Sequence, residues 1–288
     1  MLSVVGTKNL SARWAFNFSA WHPTESQLLL ATSCLQPEEK ERIGRFVYKK
    51  DAKASLIGRL FLRKYVGDLV GDYSSVKFER DEKGKPYLID KSLQDSLSFN
   101  VSHQGNFTVL AGEVGKIVGV DVMKIEYSGG RSLSDFFRLM TRHFSPEEWV
   151  TIKGYYGTSE REKLAMFCRH WCLKESYVKA IGSGITVDLQ KISFRIHTRM
   201  LSANAVVADT KLFVDGNEKS EWHFEEMLLD SEHCVSVAWK DVLPKSSASI
   251  QPTFKFLSFE DLVQNCESIS SPDLAYCRNF LEKEEKPS

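Results

Sequence analysis

The chain has 288 residues, of which 42% are hydrophobic, so it can bury a sizeable core in one large or two modest domains. Its 38 basic and 38 acidic residues balance, which argues against nucleic-acid or membrane binding through bulk charge but leaves room for a local basic patch. Six scattered cysteines without a CxxC pair are typical of free thiols in a reducing compartment. Because no stretch is long and apolar enough to span a membrane, we expect a soluble cytosolic protein.

The first half of the sequence predicts a strand, two helices and a series of short strands. The predicted elements are a strand at 13–18, helices at 37–48 and 52–70, a strand–turn–strand unit at 76–90, and strands at 97–101, 107–111 and 117–122. Pro37 followed by two acids is a favourable helix start. Glycines at 105 and 115 favour turns between the short strands.

The second half returns to helices and then to strands. The predicted elements are helices at 133–143, 146–153 and from 160 to about 181, strands at 191–196, 211–214, 222–228 and 233–239, and one short helix at 259–264. Asp215-Gly216-Asn217 is typical of a hairpin turn, and 245–252 is typical of a linker. The stretches 99–112 and 229–239 share a polar turn followed by an alternating strand, which hints at a duplicated α+β unit.

The third of these helices carries a carboxylate within its apolar face. Ser159 and Glu162 have capping-box spacing at its start, and Gly182 closes it. Glu175 falls in the middle of an apolar arc. The arc consists of Leu164, Phe167, Cys168, Trp171 and Val178. Because burying an unpaired carboxylate is costly, Glu175 needs either Lys179, one turn later, or a metal ion in a cleft; the helix alone favours the ion pair.

Asp121 lies near the end of the apolar strand IVGVDVM, residues 117–123. The three valines of this strand point to one side and Asp121 points to the other. Two interpretations remain open, a cap of the following turn and a member of a site. A Mg²⁺ site usually takes one or two protein carboxylates, with phosphates and waters completing the shell, so Asp121 and Glu175 would suit it if the fold brings them together.

Basic residues cluster in the first half of the chain. Arg42 lies on a predicted helix, and the turn RDEKGKP concentrates further charge. The charged and flexible positions of this turn are Arg80, Lys83, Gly84 and Lys85. Such a run is usually a solvated face, although glycine lets a backbone approach a phosphate closely. His103, after a strand and before a turn, is either a structural histidine or a phosphate donor.

Five motifs together resemble those of the 4′-phosphopantetheinyl transferases. They are, in the family's order, RDEKGKP, NVSHQGN, GVDVM, RHFSPEEW and WCLKESYVKAIG. The WxxKES–K element combined with GVD is the specific part of the signature. The length and the opening QPEEKERIGRF are similar to the large two-subdomain type, and the resemblance covers about residues 13–239. It implies an α+β fold in which two similar subdomains form a pseudo-dimer. We expect these subdomains at 1–115 and 116–240, and a linker and tail at 241–288.

The resemblance also implies a reaction. Coenzyme A would donate its 4′-phosphopantetheine arm to a serine of an apo acyl or peptidyl carrier protein, leaving adenosine 3′,5′-bisphosphate, with Mg²⁺ or Mn²⁺ as the metal. Asp121 and Glu175 would hold the metal, Glu175 would take the serine proton, and Lys179 would contact the phosphate or protonate the leaving group. The other coenzyme A contacts that it implies are Arg42, Arg80, Lys83, Gly84, Lys85, Asn100, Ser102 and His103.

The implied partners are apo carrier domains, and those of aminoadipate-semialdehyde dehydrogenase and fatty acid synthase are candidates. We expect a monomer that binds neither nucleic acid nor membrane. One position departs from the family pattern. Many relatives carry a second acid two residues after the strand aspartate, where this chain has Met123, so the metal's ligand count stays open. Two rival hypotheses are a non-catalytic module that binds coenzyme A or carrier proteins and a structural protein in which Glu175 only forms an ion pair.

Overall fold

The computed structural model describes residues 11–94, 96–127, 129–184, 187–242 and 253–285. The chain divides into two compact units, Met1–Val114 together with Phe254–Ser288, and Gly115–Thr253. The described part of the C-terminal segment therefore belongs to the first unit. The linker predicted at 245–252 lies outside the described residues, and the subdomain limits 1–115, 116–240 and 241–288 stay predictions.

Helices and strands are mixed along the whole described chain, which confirms the α+β class. The strands are β1 (Ala12–Asn17), β2 (Phe78–Arg80), β3 (Pro86–Leu88), β4 (Leu97–Gln104), β5 (Phe107–Val114), β6 (Lys116–Lys124), β7 (Ile192–Arg195), β8 (Lys211–Val214), β9 (Asn217–Glu218), β10 (His223–Leu228), β11 (His233–Asp241) and β12 (Lys255–Phe256). The helices are α1 (Glu25–Ser33), α2 (Pro37–Gly44), α3 (Lys49–Val70), α4 (Lys91–Gln94), α5 (Leu133–Leu139), α6 (Pro146–Lys153), α7 (Glu160–Ile181), α8 (Phe259–Val263) and α9 (Leu274–Leu281). Within the described ranges, no helix is long and apolar enough to cross a membrane.

The first unit is built on a four-stranded sheet of order β12–β1–β5–β4. β12 runs parallel to β1, whereas the other neighbours are antiparallel. The 22-residue helix α3 packs against β4 and β5. Apolar residues along the helix are buried in the core of this unit. These residues are Leu56, Leu60, Tyr65 and Leu69.

The second unit repeats this plan with another 22-residue helix, α7, on the antiparallel sheet β10–β11–β6. The capping box of Ser159 and Glu162 is present at the start of α7, as predicted. The β8–β9 hairpin turns at Asp215 and Gly216, whose φ angles of 49° and 75° confirm the turn that the sequence predicted. The stretch 99–112 covers most of the hairpin β4–β5, whereas 229–239 covers only the turn before β11 and most of β11; the shared part is thus a turn followed by the second strand of a hairpin. The pseudo-dimer arrangement stays a prediction.

Several predicted boundaries are wrong, and some elements were missed. The helix predicted at 37–48 ends at Gly44, and the helix predicted at 133–143 ends at Leu139 before a 3-10 turn at Thr141–His143. Helices α1 and α9 and strand β12 were not predicted at all. The strand β12 has only two residues and exists through its pairing with β1, so local sequence holds little signal for it.

Candidate active site

The geometry of the site begins at a glycine in β6. A Cβ atom on Gly119 would lie 2.2 Å from the Ser176 carbonyl oxygen and 2.4 Å from the Ala180 nitrogen, both of which are backbone atoms of α7. Only glycine allows a helix backbone to lie this close to a strand. The Cys172 thiol donates to the carbonyl oxygen of Asp121 at 3.0 Å, which adds a second contact between the two elements. The Gly-Val-Asp sequence therefore fixes the spacing between strand and helix where the candidate acids lie.

Three predicted site residues come together at this contact. Asp121 is 6% exposed, and its Oδ1 accepts a hydrogen bond from Lys179 Nζ at 2.5 Å. Glu175 lies one helical turn before Lys179 and is half-buried, not fully buried as its place in the apolar arc suggested. The hydrogen bond of Lys179 thus goes to the acid on the strand, whereas the helix alone favoured Glu175 as its partner; the charge of Lys179 still acts on Glu175.

The negative charge of Glu175 is only partly offset by the positive charge of Lys179. Burial raises the pKa of the Glu175 carboxyl, the charge of Asp121 raises it further, and Lys179 opposes both effects. Two carboxylates therefore share one ammonium group, and one negative charge stays unbalanced when all three groups are ionised. A further cation beside these carboxylates would lower the free energy of the ionised cluster.

The donor set fits a hard divalent cation. Asp121 and Glu175 offer the carboxylate oxygens that Mg²⁺ prefers, and phosphate oxygens and waters commonly complete its shell. Within the described residues, no group of three or more His, Cys, Asp or Glu side chains is arranged to hold a metal. Met123 lies on the same face of β6 as Asp121, pairs across the sheet with Cys234 and packs against a hydrophobic cluster. Met123 thus offers no carboxylate at the position where a second strand acid would stand, and Asp121 and Glu175 are the two acids of this cluster.

A basic pocket lies in the first unit, where α2 meets the β2–β3 hairpin. Arg80 donates two hydrogen bonds to Glu39, at 2.7 Å from Nε and 2.9 Å from Nη2. Arg59 Nη1 lies 3.4 Å from the same carboxylate, and Arg42 Nη1 donates to the Ser55 hydroxyl at 3.0 Å. The adjoining cavity has a volume of about 710 Å³ and is lined by Arg42, Glu39 and Arg80 among others. The structure thus brings together two predicted residues, Arg42 and Arg80.

The Glu39 carboxylate lies among three guanidinium groups, those of Arg42, Arg59 and Arg80, of which Arg59 does not line the cavity. Burial, together with the charges of Arg80 and Arg42, lowers the pKa of Arg59 to about 10, although Glu39 opposes the shift. The Nε of Arg59 has no hydrogen-bond partner in the described part of the chain. The positive charge is therefore concentrated around Glu39, where it suits an anionic ligand, whereas Glu38 and Glu79 add negative charge elsewhere in the cavity lining. Our sequence analysis missed Arg59, because a single arginine in a long apolar helix carries no local sign of a function.

Lys83, Gly84 and Lys85 form the turn of the β2–β3 hairpin. Gly84 has a φ of 79°, a conformation that favours glycine. The Asp81 carboxylate accepts hydrogen bonds from the backbone nitrogens of Lys83 and Lys85 at 2.9 and 2.8 Å. Arg80 Nη1 donates to the Gly84 carbonyl oxygen at 2.6 Å, so the turn is attached to the basic pocket.

Asn100, Ser102 and His103 all lie on β4, which continues to Gln104, three residues beyond the end that we predicted. The strand β4 pairs with β5 as far as Gln104, and the turn comprises residues 105–106. Because side chains alternate along a strand, Asn100 and Ser102 face one side and His103 faces the other. The first two are buried, at 8% and 6% exposure, whereas His103 is exposed. The three residues therefore do not converge on one point, and their roles in binding stay predictions.

Comparison with known families identifies the class of this protein. Residues 19–115 match the family described as "4'-phosphopantetheinyl transferase, N-terminal", and residues 117–238 match the "4'-phosphopantetheinyl transferase superfamily". The chain belongs to the 4′-phosphopantetheinyl transferases and is an enzyme of that class. The resemblance found in its motifs is therefore confirmed.

Individual proteins of this family are similar to the chain over much of its length. The chain is 42% identical to the L-aminoadipate-semialdehyde dehydrogenase-phosphopantetheinyl transferase of Xenopus laevis, over 96% of this chain and 94% of the relative. It is 39% identical to the protein of the same name from Homo sapiens, over 96% and 92% of the two chains. A 4'-phosphopantetheinyl transferase of Bacillus subtilis is 30% identical over 60% of this chain and 70% of its own.

Proposed function

We propose that this enzyme transfers the 4′-phosphopantetheine arm of coenzyme A to a serine of apo acyl or peptidyl carrier proteins, in a reaction that depends on Mg²⁺. The observation that carries the proposal is the cluster of Asp121, Glu175 and Lys179, held together by the close contact at Gly119. Two acids and one ammonium group are a set of charges suited to a pyrophosphate with a divalent cation and to a hydroxyl that must lose its proton.

Glu175 acts as the general base in this proposal. The serine Oγ attacks the phosphorus that carries the pantetheine arm, and its proton passes to a Glu175 carboxylate oxygen. The bond from that phosphorus to the departing adenosine 3′,5′-bisphosphate oxygen breaks. Because burial and Asp121 raise the pKa of Glu175, its carboxylate is a better proton acceptor than an exposed glutamate.

Lys179 provides the positive charge of the protein at this centre. Its ammonium group, held by Asp121, contacts the phosphate oxygen on which charge develops or protonates the leaving group. Asp121 and Glu175 would hold Mg²⁺, or alternatively Mn²⁺. When bound, this ion supplies Lewis-acid neutralisation of the phosphates.

The basic pocket suits the adenosine bisphosphate end of coenzyme A. Its volume of about 710 Å³ lies within the range of about 300–1,000 Å³ that is typical of small-molecule sites. In this proposal Arg42 and Arg80 pair with phosphate groups, for which Arg80 would have to exchange one of its hydrogen bonds to Glu39 or Gly84, and Lys83 and Lys85 add charge on the adjoining turn. His103 stays a proposed phosphate contact, and Gly84, Asn100 and Ser102 stay proposed contacts of coenzyme A.

The proposed protein partners are apo carrier domains. The names of the similar proteins point to an aminoadipate-semialdehyde dehydrogenase, which would link this chain to lysine metabolism. A fatty acid synthase is a second proposed substrate. We propose further that the enzyme is a cytosolic monomer; its six cysteines are free thiols, in keeping with a reducing compartment.

The direct test is to incubate the protein with an apo acyl carrier protein, coenzyme A and Mg²⁺ and to weigh the carrier by intact mass spectrometry. We expect a gain of one phosphopantetheine arm, lost with EDTA or with Glu175→Gln. Glu160→Gln, an exposed position on the same helix, is the matched control and should keep the gain. No gain with several apo carriers, despite coenzyme A binding, would favour a binding module. No gain and no binding would show the proposal to be wrong.

A further inference from the structure

We propose that the C-terminal segment, residues 254–285, is a positioning element of the basic pocket. One of its residues, Ile269, lines the pocket, and its helix α9 holds α2, the helix that carries Glu39 and Arg42. The segment lies beyond both family matches, which end at residue 238. The nature of the ligand, the adenosine bisphosphate end of coenzyme A, rests on the proposed function.

The contacts between the segment and α2 are directed at backbone oxygens near the end of that helix. The Tyr276 hydroxyl donates to the Lys40 carbonyl oxygen at 2.8 Å, and Lys283 Nζ donates to the Gly44 carbonyl oxygen at 2.8 Å. The Lys40 ammonium in turn pairs with Asp273 at 3.2 Å. The last carbonyls of a helix lack partners within the helix, so the Lys283 ammonium satisfies the Gly44 carbonyl, whereas the Tyr276 hydroxyl adds a second donor to the Lys40 carbonyl one turn earlier.

Close packing accompanies these hydrogen bonds. A Cβ atom on Gly44 would lie 3.1 Å from the Tyr276 ring, which shows how near the ring lies to the helix backbone. The helix α2 has only eight residues, and a helix of that length is not stable by itself in water. Its position, and with it that of the Arg42 side chain, therefore depends on the elements that hold it.

The part of the segment that lines the pocket, at Ile269, is held by hydrogen bonds of its own. The backbone nitrogens of Ile269 and Ser270 donate to the Ser33 carbonyl oxygen at 2.8 and 3.1 Å, and the Ser268 and Ser33 hydroxyls lie 2.8 Å apart. Ile269 lines the cavity together with other apolar side chains, and the arginines line it as well. These apolar residues are Val76, Phe78 and Ile89. A cavity with apolar and cationic parts suits a flat heteroaromatic ring that carries phosphate groups.

The alternative is that the segment only stabilises the first unit. Its buried residues Phe259, Leu262, Cys277 and Phe280 belong to the main core cluster and serve that purpose. These side chains differ from those that contact α2 and the pocket. The two roles can therefore be separated by substitutions in one segment.

The experiment measures adenosine 3′,5′-bisphosphate binding by calorimetry, together with kcat and the KM for coenzyme A, in the full chain. For Ile269→Ala and for Tyr276→Phe we expect Kd and KM to rise about two- to tenfold, the range for one lost contact, with kcat unchanged. Ile269→Leu should restore binding because it restores the apolar wall. Arg278→Ala is the matched control on α9: its exposed side chain pairs with Glu25 and does not touch α2, so Kd should stay the same.

A core variant completes the design. Phe280→Leu should lower the melting temperature and leave Kd unchanged, because Phe280 packs in the core and not at the pocket. If Ile269→Ala and Tyr276→Phe lower the melting temperature but leave Kd and KM unchanged, the segment is only structural and the inference is overturned. If the wild-type chain itself does not bind adenosine 3′,5′-bisphosphate, it is the proposed function that fails, and the two failures are thus distinct.

Discussion

Two groups of charges on helix α7 differ in how they are balanced. On one side, Arg169 donates to both carboxylate oxygens of Glu226, at 2.6 and 2.9 Å, and Lys174 pairs with Glu148 at 2.8 Å. All four residues are at most 3% exposed. Each cation has its own acid and further backbone partners, so these pairs carry no net charge. They join α7 to neighbouring elements of its unit.

The second group is balanced differently. Among the described residues, Lys179 is the cation whose charge acts on both Asp121 and Glu175, and the cluster is more exposed than the neutral pairs. Burial therefore does not distinguish the proposed catalytic charges from the structural ones. Charge balance does, since a buried pair is stable when it is neutral and satisfied, whereas two acids beside one cation favour a further ion or ligand.

The largest effect is expected from removing the unbalanced charge. Glu175→Gln keeps the size of the side chain but removes the proton acceptor, so the transfer rate should fall by about 10²–10⁴-fold, the usual contribution of a general base. The free energy of unfolding should change by less than about 0.5 kcal/mol. Carrier mass over time and urea unfolding measure the two quantities. A variant that instead unfolds would support the structural ion-pair hypothesis.

Breaking a balanced pair should act on stability. Lys174→Met leaves the Glu148 carboxylate buried without its cation, which should cost about 3–5 kcal/mol in the free energy of unfolding. The double variant Glu148→Gln/Lys174→Met removes both charges and should regain most of that loss. Urea unfolding of the three proteins checks this expectation, which fails if the double variant is as unstable as the single one.

The close contact of β6 and α7 provides a third test. Gly119→Ala places a methyl group against the helix backbone, so the helix must shift, at a cost of about 1–3 kcal/mol. We also expect a lower transfer rate because Asp121 moves relative to Glu175. Gly58→Ala in α3 is the control: its Cβ would meet the end of the Val101 side chain at 3.2 Å, which can adjust. Equal losses in both variants would contradict the special role of Gly119.

The last effect, which is the smallest near neutral pH and grows as the pH falls, concerns a neutral group on the structural side of α7. Burial lowers the pKa of His170 from 6.5 to about 3. Below pH 6.5 the unfolded chain binds a proton that the folded chain does not, so this residue makes stability fall as the pH falls, by up to about 1.4 kcal/mol per pH unit. In His170→Gln, the free energy of unfolding between pH 6.5 and 4 should therefore decline less steeply. Parallel curves for variant and wild type would exclude this contribution.

The sequence was informative where local chemistry decides the structure. The capping box of Ser159 and Glu162 and the hairpin at Asp215 and Gly216 follow from neighbouring residues alone, and both predictions were confirmed. The helix α1 carries the same kind of signal, a capping box of Thr24 and Gln27, which we overlooked.

Contacts between distant residues could not be predicted in this way. The ion pair of Lys179 and Asp121 spans 58 positions, and nothing near Lys179 shows that it prefers this acid over Glu175. Arg59 gains its place beside Glu39 only through the packing of α3 against α2. The family resemblance suggested the roles that we propose for Asp121 and Glu175, whereas their distance from Lys179 and the shift in the pKa of Glu175 became known only from the structure.

The glycine at position 119 has a mechanical consequence. Because no side chain separates the strand from the helix at this position, β6 and α7 meet backbone to backbone there, and neither can slide without a clash of these atoms. The acid on the strand and the acid and lysine on the helix are therefore held as a single rigid part. If the proposed function holds, the enzyme accepts carrier domains of different shape only by adjusting other segments, while the spacing of these charges stays constant.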